Sequence, residues 1–313
     1  MKNHKSTRDS YGETLKELAK KDKNVVALDC DLGRSTRSFR ITEADPERFI
    51  EMGIAEQDMI STSAGMASMG KIVFANSFAV FLTGRAFDQI RQQVSLPSAN
   101  VKLCASSAGL TQGPDGATHQ SVLDVSLMRT LPNMIVLSPA DGNQAEQVVS
   151  AAYEYKGPVY LRLSRYETGD FLPENLSFKI GKAQVLKEGK DVMLASYGPI
   201  LKNVLGASVI LENWGISTGV VNFHTIKPID VETVKSLGKS YSLIVSIEEH
   251  SIIGGLGTAL SEVLAEMNSE KTIASLKRIG VQDRFGESGT ADELLKKFKL
   301  DADGIAQTIK ELV

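Results

Sequence analysis

Short β-branched runs alternate with helical stripes along this chain, and that alternation limits its fold more than any other feature. VVAL at 25–28, IVFA at 72–75, VKLCA at 101–105, MIVL at 134–137 and PVYLRL at 158–163 read as short buried strands. Between them, Tyr11, Leu15, Leu18 and Ala19 mark one helical face, and Ala86, Ile90 and Val94 mark another. Helices are also expected over 55–69, near 121–130, and from an Asp141 N-cap to residue 155. Around 166–189 the pattern dissolves, with Gly169, Pro173, Glu174, Asn175, Gly181 and Gly189 clustered there. It restarts with DVMLASY (191–197), STGVVN (217–222), SLIVSI (242–247) and SLKRIG (275–280), with helices in the gaps, notably over 256–267 and 291–298. Strands separated by helices pack as a parallel sheet with helices on its faces. The expectation is an α/β chain of two domains, 1–168 and 188–313, each a largely parallel sheet covered by helices, joined by a linker at 169–187, with 158–163 the last strand of the first half.

Composition narrows the function classes. A net charge of −3 gives no basic surface for nucleic acid or an anionic membrane. The least charged stretch, 60–84, is broken by Lys71 and rich in small residues, too interrupted for a membrane span. The polar N-terminus carries no apolar signal core. Cys30 and Cys104 lie far apart with no CxxC or metal spacing, which fits a reducing cytoplasm. GMASMGKI (65–72) falls one residue short of a P-loop, because Ile72 replaces the Mg²⁺-binding hydroxyl and the segment closes a helix instead of opening one. GGLGTAL (254–260) lacks the last glycine of a dinucleotide loop and reads as a glycine turn into a helix. His4, His119, His224 and His250 show no metal spacing, and no G-x-S-x-G elbow occurs.

The informative blocks are FIEMGIAEQDMI (49–60), NSFAVFLTGRAFDQIR (76–91), GPDGATHQSVLDVSLMRTLPNM (113–134) and SPADGNQ (138–144). Together they resemble the pyrimidine-binding region of the transketolase family. NFHTIKPID (222–230), VSIEEHSIIGGLGTALSEVLAE (245–266) and VQDRFGESGTADELL (281–295) resemble its C-terminal domain. The resemblance covers nearly the whole chain in order, and is nearest to the C-terminal subunits of split, two-polypeptide transketolases. It implies a transferase that moves a two-carbon ketol unit from a ketose to an aldose with thiamine diphosphate and Mg²⁺. The family's G-D-G diphosphate motif is missing, so the Mg²⁺-bound diphosphate is expected on an N-terminal partner subunit, most simply in an α2β2 heterotetramer with the cofactor shared between chains. The second domain is expected to support dimerisation more than chemistry.

The resemblance also implies roles for single residues. Glu56 matches the glutamate that bonds the cofactor's pyrimidine nitrogen, a task suited to a carboxyl in an apolar pocket. Phe78 and Phe81 match the aromatics around that ring, while Gly84 stands where some relatives carry a third. Asp31 matches an aspartate near the cofactor, with Asp29 as its neighbouring competitor; a carboxylate capping the next turn is the alternative account of Asp31. Asp115 and His119, in G-P-D-G-A-T-H-Q, match groups that contact sugar hydroxyls and move protons. Arg8, Ser35 and Arg165 match three members of a substrate-phosphate cluster. Ser107 takes the fourth place, where many relatives have histidine, and Gln112 and Pro114 replace the usual Val and Glu. These departures fall on the substrate side and admit a sulfonated sugar beside a phosphosugar. Two rivals remain: a 2-oxoacid dehydrogenase E1 β subunit, disfavoured by D-G-A-T-H-Q and L-S-R, and a non-catalytic scaffold subunit, disfavoured by Glu56 with both phenylalanines. A deoxyxylulose phosphate synthase, normally one long chain, is more remote.

Overall fold

The structure, a computed structural model, describes residues 6–267 and 273–313; His4 lies outside them. The first half supplies six mutually parallel strands, β1 (Val25–Asp29), β2 (Phe49–Glu51), β3 (Ile72–Phe78), β4 (Val101–Ser106), β5 (Ile135–Leu137) and β6 (Val159–Arg162), in the order β5-β6-β4-β3-β1-β2. The second half supplies β7 (Gln184–Lys187), β8 (Val192–Ser196), β9 (Thr218–Asn222), β10 (Thr225–Lys227), β11 (Leu243–Ser251) and β12 (Ser275–Val281). Of these, β12-β11-β8-β9 are parallel and β7 closes that sheet antiparallel to β9.

β10 does not stay with its own half. It crosses back and pairs antiparallel with β5, making a seventh strand on the first sheet. The segment 158–163 therefore holds the last parallel strand of that sheet but not its last strand. Gln184–Lys187, inside the segment expected as linker, is likewise an edge strand. β2, β7 and β10 are runs of three or four residues that mix polar with apolar members and lie in no continuous apolar stretch, unlike β5 and β6, which is why they escaped sequence reading.

β1, β4, β6, β8 and β9 are buried along their whole length, which is why they read as continuous apolar runs. β3 alternates. Val73 and Ala75 join Met59 and Ile60 of the helix Glu56–Ser68 in one core cluster, while Phe74 joins Tyr11 and Leu15 of the helix Thr7–Lys21 in another. Asp141 caps the helix Gly142–Glu154 through a bond from the Gln144 N–H at 2.9 Å. Its other oxygen accepts from Phe171 and Leu172, so the cap also pins the inter-domain connection.

Both tempting glycine motifs serve the fold. After the helix ending at Ser68, Gly70 takes φ +89° and the chain enters β3, a helix stop. At 254–257 the glycine turn opens the helix Leu256–Ala265, whose first N–H groups bind the buried carboxylate of Glu248: Leu256 donates at 2.8 Å and Gly257 at 3.0 Å. The anion held at this helix N-terminus is the protein's own. Among the described residues, no helix is long and apolar enough to cross a membrane.

Candidate functional site

In open parallel sheets ligands sit beyond the carboxyl ends of the strands. Four adjacent strands, β6, β4, β3 and β1, end on one side of the first sheet, and the sequence-flagged residues follow their ends: Arg165 after β6, Ser107 after β4, Phe78 closing β3, Asp31 after β1.

Glu56 opens its helix and is almost fully buried. A carboxylate in a helix's first turn meets the positive end of its dipole. Ser77, on the β3 face that carries Val73 and Ala75, donates to Glu56 Oε1 at 2.9 Å. The Arg85 guanidinium bonds Oε2 at 2.5 Å and lies 4.9 Å from the centre of the Phe81 ring. The rings of Phe78 and Phe81 are stacked and nearly parallel, 15° apart with centroids at 6.1 Å. His119 stands edge-on to both, 5.2 Å from Phe81 and 6.3 Å from Phe78. Cys30, Asp31, Leu32, Ile54, Glu56, Phe81, Arg85 and His119 line a cavity of about 320 Å³. Burial pushes the Cys30 thiol up to about 12, so it is an inert wall of this cavity.

Asp29 and Asp31 divide the two readings offered for Asp31. Asp29 is fully buried and caps the following turn, accepting from Leu32 N–H, Thr36 Oγ1 and Ser38 Oγ, each at 2.7 Å. Burial raises its pKa to about 6 against those bonds. Asp31, at φ +60°, is exposed; its N–H is held by Glu51 and its side chain is left to the cavity wall. A second depression of about 390 Å³, lined by Asp31, Leu32, Arg34, Ser35 and Phe49 among others, continues from the first through Asp31 and Leu32.

The cationic residues assemble because the first helix is stitched to the end of β6. Thr7 Oγ1 accepts from Ser164 N–H at 2.8 Å, and Arg8 N–H donates to Ser164 O at 3.3 Å. Arg8 Nη1 donates to the Ser35 carbonyl at 2.9 Å, while its Nε is buried without a partner among the described residues. Burial, then neighbouring Arg37 and Arg165, lower the Arg8 pKa to about 10. Arg165 lies 3.6 Å from Asp115, which also accepts from Gln112 Nε2 at 2.5 Å. Ser107 differs from these partly exposed groups. It is fully buried at φ +58°, and its Oγ finds no partner among the described residues.

Sequence reasoning missed Arg85, Ser77 and the Gln112–Asp115 bond. Arg85 was findable: it lies four residues beyond Phe81 on the helix Ala79–Arg85, hence on the same face. Ser77 continues the Val73–Ala75 alternation toward the Glu56 helix. Among the described residues no group of three His, Cys, Asp or Glu side chains is placed to hold a metal ion.

The first sheet of this two-sheet α/β chain thus presents a buried glutamate beside paired aromatic rings at the carboxyl ends of its strands. Residues 3–169 match the family model of the transketolase pyrimidine-binding domain, and residues 181–305 that of the transketolase C-terminal domain. The chain belongs to the transketolase family. It is 47% identical to a provisionally assigned transketolase C-terminal section of Methanocaldococcus jannaschii, covering 98% of this chain and 96% of that protein. It is 40% identical to a 6-deoxy-6-sulfo-D-fructose transketolase subunit of a Clostridium species, covering 97% and 94%. Among solved structures, a split-gene transketolase described as an inactive β4 tetramer superposes with a TM-score of 0.89 at 42% identity, covering 98% of each chain.

Proposed function

We propose that this chain is the C-terminal subunit of a two-polypeptide, thiamine-diphosphate- and Mg²⁺-dependent transketolase that moves a two-carbon ketol unit from a ketose to an aldose. The observation that carries this reading is Glu56, a buried carboxylate aimed at a cavity walled by Phe81 and His119. That pairing of an acid and flat rings fits an aminopyrimidine and leaves the diphosphate and its Mg²⁺ to an N-terminal partner, in an α2β2 assembly. Bound there, thiamine diphosphate would supply the nucleophilic carbon and electron sink.

The chain's own residues do the rest. Glu56 holds a proton at the pyrimidine N1′, for which Arg85 must release Oε2; Arg85 is half exposed and the space beside Gly84 is open. Phe78 and Phe81 stack on the ring and exclude water. His119 and Asp115 bond sugar hydroxyls, and His119 moves protons. Arg8, Arg165 and Ser35 receive the anionic end-group of the substrate, and Ser107, fully buried with its Oγ unpartnered among the described residues, joins them once the loop after β4 shifts to admit it. Close likeness to a relative named for a sulfonated fructose supports a sulfonate as that end-group beside a phosphate. The inactive β4 tetramer of the similar split enzyme supports dependence on a partner.

The test is reconstitution with the N-terminal subunit and assay with a ketose phosphate, a sulfonated ketose and pyruvate. Ketol transfer from either sugar, only in the two-subunit mixture, is expected. Pyruvate decarboxylation without ketol transfer, or turnover by this chain alone, overturns the reading.

A further inference from the structure

The second domain reaches the loop of the candidate site with a buried carboxylate. Glu249, on β11, is 2% exposed, and its Oε1 accepts the backbone N–H of Thr111. Thr111 begins the loop that carries Asp115 and His119. Gly109, at φ +85°, lies so close that a Cβ there would fall on the Glu249 carboxylate. The Glu249 backbone is fixed in turn: its carbonyl accepts from Arg162 Nη2 at 3.0 Å, and Arg162 Nε pairs with fully buried Asp124 at 2.8 Å.

Further contacts join the same loop to the segment 286–292. Gln120 Nε2 donates to the Glu287 carbonyl at 2.9 Å and to Gly113 O at 3.1 Å. Gly116 packs on Ser288, Gly113 lies against Gly289, and Tyr166 OH donates to Asp292 at 2.6 Å. The loop therefore has its backbone set from the second domain, while its functional side chains face the first.

We propose that Glu249 is a positioning residue: it fixes the Thr111 amide and thereby the placement of Asp115 and His119 for the substrate. Carboxylate-to-amide hydrogen bonds are among the stronger ones, and a buried acceptor with a single backbone partner leaves that N–H little alternative. Burial raises the Glu249 pKa, against which Arg162 and the Thr111 N–H pull it down. The inference rests on the ketol-transfer reading for its kinetic arm only.

The experiment has two arms, each with Glu249→Ala, Glu249→Gln and Gly109→Ala. In the first, amide hydrogen exchange is followed across 109–120 in the chain as purified. Glu249→Ala and Gly109→Ala are expected to speed exchange of the Thr111–His119 amides at least ~10-fold, and Glu249→Gln, which keeps an acceptor oxygen, to stay near wild type. In the second, the complex reconstituted with the N-terminal subunit is assayed. Glu249→Ala is expected to raise the donor-sugar KM about 10-fold or more while thiamine diphosphate affinity stays within about 2-fold, with Glu249→Gln restoring most of the loss. Unchanged exchange in Glu249→Ala and Gly109→Ala overturns the proposal. Altered exchange with no ketol transfer in wild type overturns the assigned reaction and leaves the loop anchor standing. Equal loss of cofactor and substrate affinity reduces Glu249 to a general structural role and also overturns the proposal. Because Gly109→Ala acts from the loop side, the test survives if Glu249→Ala fails to fold.

Discussion

Both domains carry polar residues at the carboxyl ends of parallel strands, yet they use them oppositely. In the first sheet these ends open onto two connected depressions lined by Asp31, Ser35, Glu56 and His119. In the second, the end of β11 carries Glu248, Glu249 and His250, all buried, with Glu248 holding a helix N-terminus and Glu249 the site loop. One architecture thus yields an open set of strand ends suited to chemistry and a plugged set suited to support. What separates them is not composition but coverage: the first domain itself lies over the second sheet's strand ends.

The contrast is sharpened most by Glu56→Gln. If the open ends hold the chemistry, this change lowers kcat of the reconstituted enzyme by ~10²–10⁴-fold, the usual span for a group managing a proton, with little change in the chain's melting temperature. Full activity would break the contrast at its strongest point. Next comes Arg162→Met, at the junction. Burial by itself opposes the charge on Asp124, but Arg162 and His250 hold its pKa below the ordinary carboxylate range, and the pair lies 2.8 Å apart. Removing the cation leaves a buried, unpaired carboxylate, a loss of about 3–5 kcal/mol readable by urea denaturation.

Third, the two halves titrate in opposite senses. Asp29 is held at about 6 by burial against an ordinary 3.8, so its contribution is present below about pH 4 and lost as pH rises through about 6. His224 is held at about 4 by burial against 6.5, so its contribution is present above about pH 6.5 and lost as pH falls through about 4. The slopes offset each other in the native chain. Asp29→Asn should unmask rising stability between about pH 4 and 6.5, by up to about 3 kcal/mol from 1.36 kcal/mol per pKa unit; denaturant midpoints across that range check it, and a profile parallel to wild type refutes it. The smallest effect belongs to Thr290→Ala. Thr290 forms a capping box with Glu293 on the helix Ala291–Lys297, which packs on the site loop. Its loss should destabilise the chain by about 1 kcal/mol, with faster amide exchange confined to that helix and the loop.

The sequence made some of this legible for identifiable reasons. Long buried strands such as β4 and β8 stood out as apolar runs, and Asp141 announced its helix. Glu56, Phe78, Phe81 and Asp31 were flagged by motif; the fold sets Glu56, Phe81 and Asp31 with His119 around one depression and stacks buried Phe78 against Phe81. What escaped depends on long-range meeting. Nothing local says that Glu249 will reach Thr111, 138 residues away, or that Gln112 and Arg165 will share Asp115. The division of labour between Asp29 and Asp31 also needed the positive φ at Asp31, which turns one carboxylate inward and the other out.

β10 has a consequence for anyone who wishes to take the protein apart. The two family regions meet near residue 170–180, an inviting place to cut. An N-terminal fragment ended there would lose Thr225–Lys227 and bare the hydrogen-bonding edge of β5, with buried Val136 and Leu137 beneath it. An uncovered strand edge recruits other chains. The halves are separable as text but share a sheet as matter.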